Sequence, residues 1–329
     1  MATQRVLILG GTEFVGRAFV DEALARGHDV TVLNRGSREP RSDVTTLVGD
    51  RTLPGGLDAV ATGRWDVVVD TWSWAPVAVR DAATVLRDRA DRYVYVSSRS
   101  VYAHPAPLDD ESAEVVDASA DDTGFADYAR AKAGGELGAI AGFGDRAVLL
   151  RPGLILGPHE NIGRLPWWLT RIARGGAVVA PGPQDLPIQY IDARDLAAFG
   201  LESRIAGAVD IVTPPGAHTM RDVLEACRAA TGSDADLRWT PPEAVLRAGV
   251  EPWIELPIWI PPGEDHDGMH RAAVARAAAA GLATRPLLDT VADTWTWLRS
   301  MGGVAPQRPD RPTVGLPEEK ERALLGEPD

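Results

Sequence analysis

The sequence predicts an α/β protein, a doubly wound parallel sheet followed by a smaller and less regular C-terminal part. Three observations predict it. Short apolar runs alternate with segments of helical spacing as far as residue 152. A glycine-rich turn, Gly10-Gly11-Thr12-Glu13-Phe14-Val15-Gly16, joins the first run to the first helical segment. Beyond Pro152 the alternation gives way to dense proline and glycine.

The elements follow in order. Residues 6–9 form an apolar run closed by Gly10-Gly11 and read as a buried strand. Apolar residues at 14, 15, 18, 19 and 23 mark a helix over 14–26, which Gly27 stops. Residues 30–33, 44–48, 66–70, 92–97 and 147–150 read as further strands, with helices near 53–62, 76–90 and 123–142. Later helices fall at 162–174, 192–204, 219–231, 268–280 and 286–300, with a short one at 317–325. Residues 188–191 and 209–212 read as strands returning to the main sheet. This divides the chain into a dinucleotide-binding Rossmann domain at 1–153, with returning segments near 186–213. A substrate-binding domain follows at 154–185 and 214–301, then a polar tail at 302–329.

Composition narrows the function. Acids outnumber bases 47 to 34 in 329 residues, a net charge of −13, which argues against a nucleic-acid or anionic-membrane partner. One cysteine, Cys227, excludes an internal disulfide and suits a cytoplasmic protein. No run approaches the ~20 apolar residues of a membrane span. The expected partner is a small-molecule substrate, and a homodimer is left open. Only Lys132 and Lys320 are lysine, and half of the aromatic residues are tryptophan.

In the glycine turn, Gly10, Gly11 and Gly16 let the backbone bend and approach a pyrophosphate, with Thr12, Phe14 and Val15 beside it. The helix that follows points free N–H groups and a positive dipole at the phosphates. Glu13 stands where a middle glycine is usual, so its carboxylate must point away from a bound pyrophosphate. After the second strand the chain reads Asn34-Arg35-Gly36-Ser37-Arg38. A neutral Asn34 with Arg35 and Arg38 nearby favours NADP(H) over NAD(H). Asp50 and Arg51 end the third strand, where they border the adenine or form a simple turn.

Tyr128 and Lys132 stand four residues apart in a helical segment, on one face. An ammonium beside a phenol favours phenolate, which suits a general acid or base. With two lysines and five tyrosines, a chance Y-x-x-x-K has odds of about 3%. Ser97 and Ser98 follow a central strand at its carboxyl end, where open α/β sheets bind ligands.

The succession GGTEFVG, YVSSRSVY, YARAK, LLRPGLILGP and QYIDARDLA resembles the extended short-chain dehydrogenase/reductase superfamily, the NAD-dependent epimerase/dehydratase-like group. The resemblance runs over about residues 4–300. It implies Ser98 as the catalytic serine, Tyr128 as acid/base, and Lys132 as its partner and as a ligand of the nicotinamide ribose. It also implies that Pro152 shapes the nicotinamide pocket and that Asp195 is structural. Glu13 is similar to the atypical GGT-x-F-x-G branch, some members of which bind a dinucleotide without redox chemistry. Leu154 lacks the amide that nucleotide-sugar enzymes carry there, which disfavours a nucleotide-sugar substrate.

Thr71 is expected near the cofactor. Trp74, Trp167 and Trp168 are candidates for the substrate wall, with Arg99 and His104 as polar candidates and His159 and Tyr190 as weaker ones. The run Glu264-Asp265-His266-Asp267-Gly268-Met269-His270 reads as an exposed loop rather than a metal site. Trp295 and Trp297 read as core. Together these features predict an NADP(H)-dependent oxidoreductase, NAD(H) being the other cofactor allowed, that interconverts a carbonyl and a secondary alcohol. The alternatives are a nucleotide-sugar epimerase or dehydratase, and a non-catalytic dinucleotide-sensing or RNA-associated protein.

Overall fold

A computed structural model describes residues 2–37, 39–104, 110–125 and 127–326. The elements run β1 (Arg5–Leu9), α1 (Phe14–Ala25), β2 (Asp29–Asn34), β3 (Thr45–Val48), β4 (Trp65–Asp70), α2 (Val77–Leu86), β5 (Ala90–Val96), α3 (Tyr128–Phe143) and β6 (Ala147–Pro152). Then come β7 (Leu154–Leu156), α4 (Arg164–Ala173), β8 (Ala177–Pro181), β9 (Tyr190–Asp192), α5 (Ala193–Glu202), β10 (Gly207–Ile211), α6 (Met220–Thr231) and β11 (Asp236–Thr240). The chain ends with α7 (Pro242–Arg247), α8 (Glu264–His270), α9 (Ala275–Ala279), α10 (Leu287–Ser300) and α11 (Glu318–Leu325).

Among the described residues, seven strands form one parallel sheet in the order β10-β6-β5-β4-β1-β2-β3. The order reverses at β1, so the carboxyl ends of β1 and β4 open a crevice between diverging connections. Val6 and Ile8 face one core with Phe19 of α1 and Leu196 of α5, while Leu7 and Leu9 face the other with Val79 of α2 and Phe143 of α3. Alternate residues of one strand therefore fill both faces, as a sheet covered on two sides requires.

Helix α3 carries almost no apolar asymmetry because its glycines do the packing. A side-chain carbon on Gly138 would stand 2.8 Å from the Arg80 backbone nitrogen, and one on Gly135 would stand 2.3 Å from the Tyr95 hydroxyl. The helix thus lies close against α2 and β5, and its first turn is fixed at the sheet edge.

Four sequence expectations are corrected. Residues 53–62 are turns with a single 3-10 turn at Asp58–Val60, since Pro54-Gly55-Gly56 interrupts any helix. Of the two strands expected to return to the main sheet, β10 pairs with β6, whereas β9 pairs with β7 in a separate ladder. The expected helix 268–280 is broken into α8 and α9. The end of the chain is not a loose tail: Leu316 is buried in the C-terminal core, Leu324 and Leu325 pack against it, and Glu321 pairs with Arg171 at 2.7 Å. Among the described residues no helix is long and apolar enough to cross a membrane.

Candidate functional site

The glycine turn has the geometry of a phosphate cradle. Gly10 and Gly11 adopt φ of +121° and +87°, open to glycine and strained for other residues. A side-chain carbon on Gly16 would lie 2.7 Å from the Gly11 backbone nitrogen, so the first turn of α1 can close on the loop only without one. Glu13 occupies the cap position of α1 in extended conformation but makes no side-chain cap, leaving the first N–H groups of the helix to face outward. Its carboxylate accepts a hydrogen bond from the Asn161 side chain at 2.8 Å, so it turns toward the loop before α4. That arrangement fits a pyrophosphate, because the charge of Glu13 is engaged elsewhere.

The Thr71 hydroxyl donates to the Leu9 carbonyl at 3.3 Å and sits 2.7 Å from where a Gly10 side chain would begin. Two neighbouring strand ends are thereby held at the crevice. Thr12 is exposed, Phe14 is buried at a φ of +26°, and Val15 is half-buried. The Asn34 side chain accepts from the Gly36 N–H at 2.8 Å and shapes the turn after β2, with Arg35 exposed beside it. Arg38 lies outside the described residues.

Three expected contacts are committed internally instead. Arg51 makes two 2.7 Å bonds to Asp70 and one to the Ala78 carbonyl, with its guanidinium over the Trp72 ring. It braces the floor of the crevice and is not presented to an adenine. Asp50 accepts from the Thr52 backbone and hydroxyl, the simple turn that its spacing also allowed. The Ser97 hydroxyl donates to Glu136 at 2.6 Å, and Glu136 pairs with Arg151 beneath the site.

Ser98, Tyr128 and Lys132 come together at the carboxyl end of β5. Ser98 is extended and its hydroxyl accepts from the Ser100 N–H at 3.1 Å. Tyr128 opens α3, capped by Asp127, whose carboxylate accepts from the Arg130 N–H at 2.8 Å. Burial raises the Tyr128 phenol above its ordinary range; the Ser98 hydroxyl and the charges of Arg311 and Arg164 oppose that rise. Lys132 lies one turn on, its Nζ 6.0 Å from the Tyr128 ring centroid. The Nζ donates to the Trp72 carbonyl at 2.7 Å and to the Val96 carbonyl at 2.6 Å. Burial pushes Lys132 down to about 7, against the pull of Asp70 and Glu136.

The sequence reading assigned the lowering of the phenol to Lys132. Burial opposes that lowering here, and the charges of Arg311 and Arg164 act on the phenol in addition to the lysine 6.0 Å from its ring. The lysine is held by the ends of two strands, close to a proton-exchange poise at neutral pH.

The substrate candidates separate. Trp74 is exposed and tilts against Phe125 with ring centroids 4.8 Å apart. Trp167 is half-buried and packs against Gly315. Trp168 is a correction: it is fully buried in the C-terminal core and its indole N–H donates to the Pro257 carbonyl at 2.7 Å. Arg99 is also corrected, since it forms a buried ion pair with Asp210 and donates to the Gly268 carbonyl. His104 is exposed and Pro152 is buried at the end of β6. Asp195 pairs with Arg285 at 2.7 Å, a structural tie.

The run Glu264–His270 is a helix with His266 and His270 buried, not an exposed loop. His270 accepts from the Gln189 N–H, and no metal cluster is present among the described residues. Sequence reasoning missed Asn161, Arg164 and Arg311, whose approach to the site is a long-range product of the fold.

Comparisons with known proteins bear on the fold and the family. A curated relative, the 3-diazoavenalumate denitrifying reductase of Streptomyces sp, is 27% identical over 233 residues, 63% of this chain and 75% of that protein. The Bordetella bronchiseptica enzyme WbmG, solved with NAD, has a TM-score of 0.64 at 18% identity, covering 92% of this chain and 96% of its own. The UDP-glucose 4-epimerase of Thermotoga maritima, solved with UDP-glucose, has a TM-score of 0.61 at 16% identity, covering 90% and 99%. These two likenesses establish the shared fold. The sequence model of the NAD dependent epimerase/dehydratase family matches residues 6–201, and the chain belongs to that family.

Proposed function

We propose that the protein is an NAD(P)(H)-dependent oxidoreductase that interconverts a carbonyl and a secondary alcohol on a small organic molecule. The observation that carries this reading is the meeting of Ser98 with Tyr128 at the end of β5, with Lys132 one turn behind. A bound nicotinamide supplies or accepts the hydride. Ser98 orients and polarises the substrate oxygen by hydrogen bonding. Tyr128 gives the proton to that oxygen or takes it back, and its burial keeps the phenol protonated until substrate arrives. Lys132 would hold the ribose and relay the proton, an exchange that its proximity to neutrality favours. Arg35, exposed beyond β2, supports a preference for NADP(H).

The streptomycete relative is named a reductase, which agrees with net redox chemistry. The test is turnover. Wild-type protein with NADPH or NADH and a carbonyl panel should lose nicotinamide absorbance, and Tyr128→Phe should stop the loss.

A second reading, nucleotide-sugar epimerisation, is favoured by family membership and by the UDP-glucose-bound neighbour. Leu154, a buried leucine, counts against it. A cofactor that stays bound through purification, with no net nicotinamide consumption on any carbonyl, would favour that reading.

A further inference from the structure

We propose that Arg164 and Arg311 form a carboxylate-binding subsite beside Tyr128, so that the molecule handled there carries an acidic group. The inference rests on Tyr128 being the group that meets the substrate.

Arg164 is the first residue of α4, set by Gly163 at a φ of +96°. Its guanidinium lies over the Trp253 ring, 4.6 Å from the centroid, and its Nε is buried without a hydrogen-bond partner. A guanidinium stacked on an indole keeps its planar fork directed outward, the geometry that a carboxylate matches. Glu160 attracts the Arg164 guanidinium without reaching ion-pair distance, and its carboxylate accepts from the backbone N–H groups of Arg164 and Leu165.

Arg311 arrives from the far end of the chain. Residues 304–316 strap across the start of α4. The Pro306 carbonyl fills the space that a Gly163 side chain would need, and the Gly315 N–H donates to the Ile254 carbonyl at 2.9 Å. Within the strap, Gln307 bonds both the N–H and the carbonyl of Val314. Asp310, the acid next to Arg311, is taken by Arg308 at 2.7 Å. Arg311 is exposed, and its charge reaches both Tyr128 and Arg164.

Among the described residues neither Arg164 nor Arg311 has an ion-pair partner. In this chain acids outnumber bases 47 to 34; the buried Arg51, Arg99, Arg151 and Arg171 have carboxylate partners, and the buried Arg92 is spent on the Ser203, Gly200 and Leu201 carbonyls. The two guanidiniums repel each other beside a phenol, Glu160 and Asp310 attract them without pairing, and an incoming anion at ion-pair distance relieves the repulsion.

The test is binding to the full chain, by calorimetry and thermal shift, of three probes: cinnamate, its neutral isostere cinnamamide, and inorganic phosphate. Wild type should bind cinnamate at least 10-fold more tightly than cinnamamide. Arg311→Ala should weaken cinnamate about 10- to 100-fold and leave cinnamamide unchanged, the range for a hydrogen bond to a charged group. Arg311→Lys should recover part of the loss. Arg311 is exposed, so its variants should melt with the wild type. Equal or absent binding of the acid and the amide overturns the proposal, as does an Arg311→Ala variant that binds cinnamate unchanged. Phosphate bound in preference to cinnamate overturns the carboxylate assignment. These readouts are of binding alone. Absence of turnover would sink the oxidoreductase reading and leave this subsite standing.

Discussion

Replacing Lys132 with methionine separates what the lysine does for the fold from what it does for the site. Burial lowers Lys132 from 10.5 to about 7. Holding it there costs on the order of 4 kcal/mol at neutral pH relative to an ordinary lysine. Methionine removes that cost. It also strands the carbonyls of Trp72 and Val96, each worth about 1–3 kcal/mol when left unpaired. The two effects nearly cancel, so Lys132→Met should unfold in urea within about 2 kcal/mol of wild type at pH 7.

The pH dependence should differ more. Between about 7 and 10.5 the unfolded chain keeps the lysine proton and the folded chain releases it. The unfolded state therefore binds more protons, and wild-type stability rises with pH across that window relative to the variant. Urea melts at pH 6.5, 8 and 9.5 measure this. A Lys132→Met variant destabilised by more than about 5 kcal/mol at pH 7 would refute the reasoning. Parallel pH slopes for the two proteins would refute it as well.

Other substitutions test other parts of the account. Gly16→Ala places a carbon 2.7 Å from the Gly11 nitrogen and should abolish thermal stabilisation by added dinucleotide, at a stability cost of about 1–3 kcal/mol. Glu160 is raised from 4.5 to about 7 by burial, so the folded state holds the extra proton between those values and stability falls as pH rises through them. Glu160→Gln should flatten that fall, a difference of about 3 kcal/mol across the window in urea melts. Deleting residues 317–326 leaves Arg171 buried without Glu321 and should cost about 3–5 kcal/mol, visible as a lower melting temperature. Arg35→Ala should reduce the ratio of NADP+ to NAD+ affinity in calorimetry and leave the NAD+ affinity itself unchanged.

The sheet was legible in the sequence because its strands are short, apolar and bounded by glycine or by helical spacing. The Ser98, Tyr128 and Lys132 set was legible because local spacing places it: a strand end and one turn of helix. What escaped depended on the fold at long range. The chain from Gly302 looks polar in composition, yet Leu316, Glu321 and Leu325 dock it on the C-terminal core and carry Arg311 to the site. Arg51 and Arg99 look solvent-ready in sequence, and only the fold brings Asp70 and Asp210 to pair with them. Trp168 and Trp167 are neighbours on one helix, and one-residue rotation puts the first in the core and leaves the second half-buried.

The central claim is that Tyr128 moves a proton to or from the substrate in a dinucleotide-dependent reaction. The most direct measurement is single-turnover decay of NADPH or NADH absorbance with wild type and with Tyr128→Phe, on a substrate taken from a panel of carbonyl acids. The account predicts decay with wild type and a rate at least about 100-fold lower with the variant, whose melting temperature and dinucleotide binding are retained. Turnover at the wild-type rate without the Tyr128 hydroxyl would contradict it.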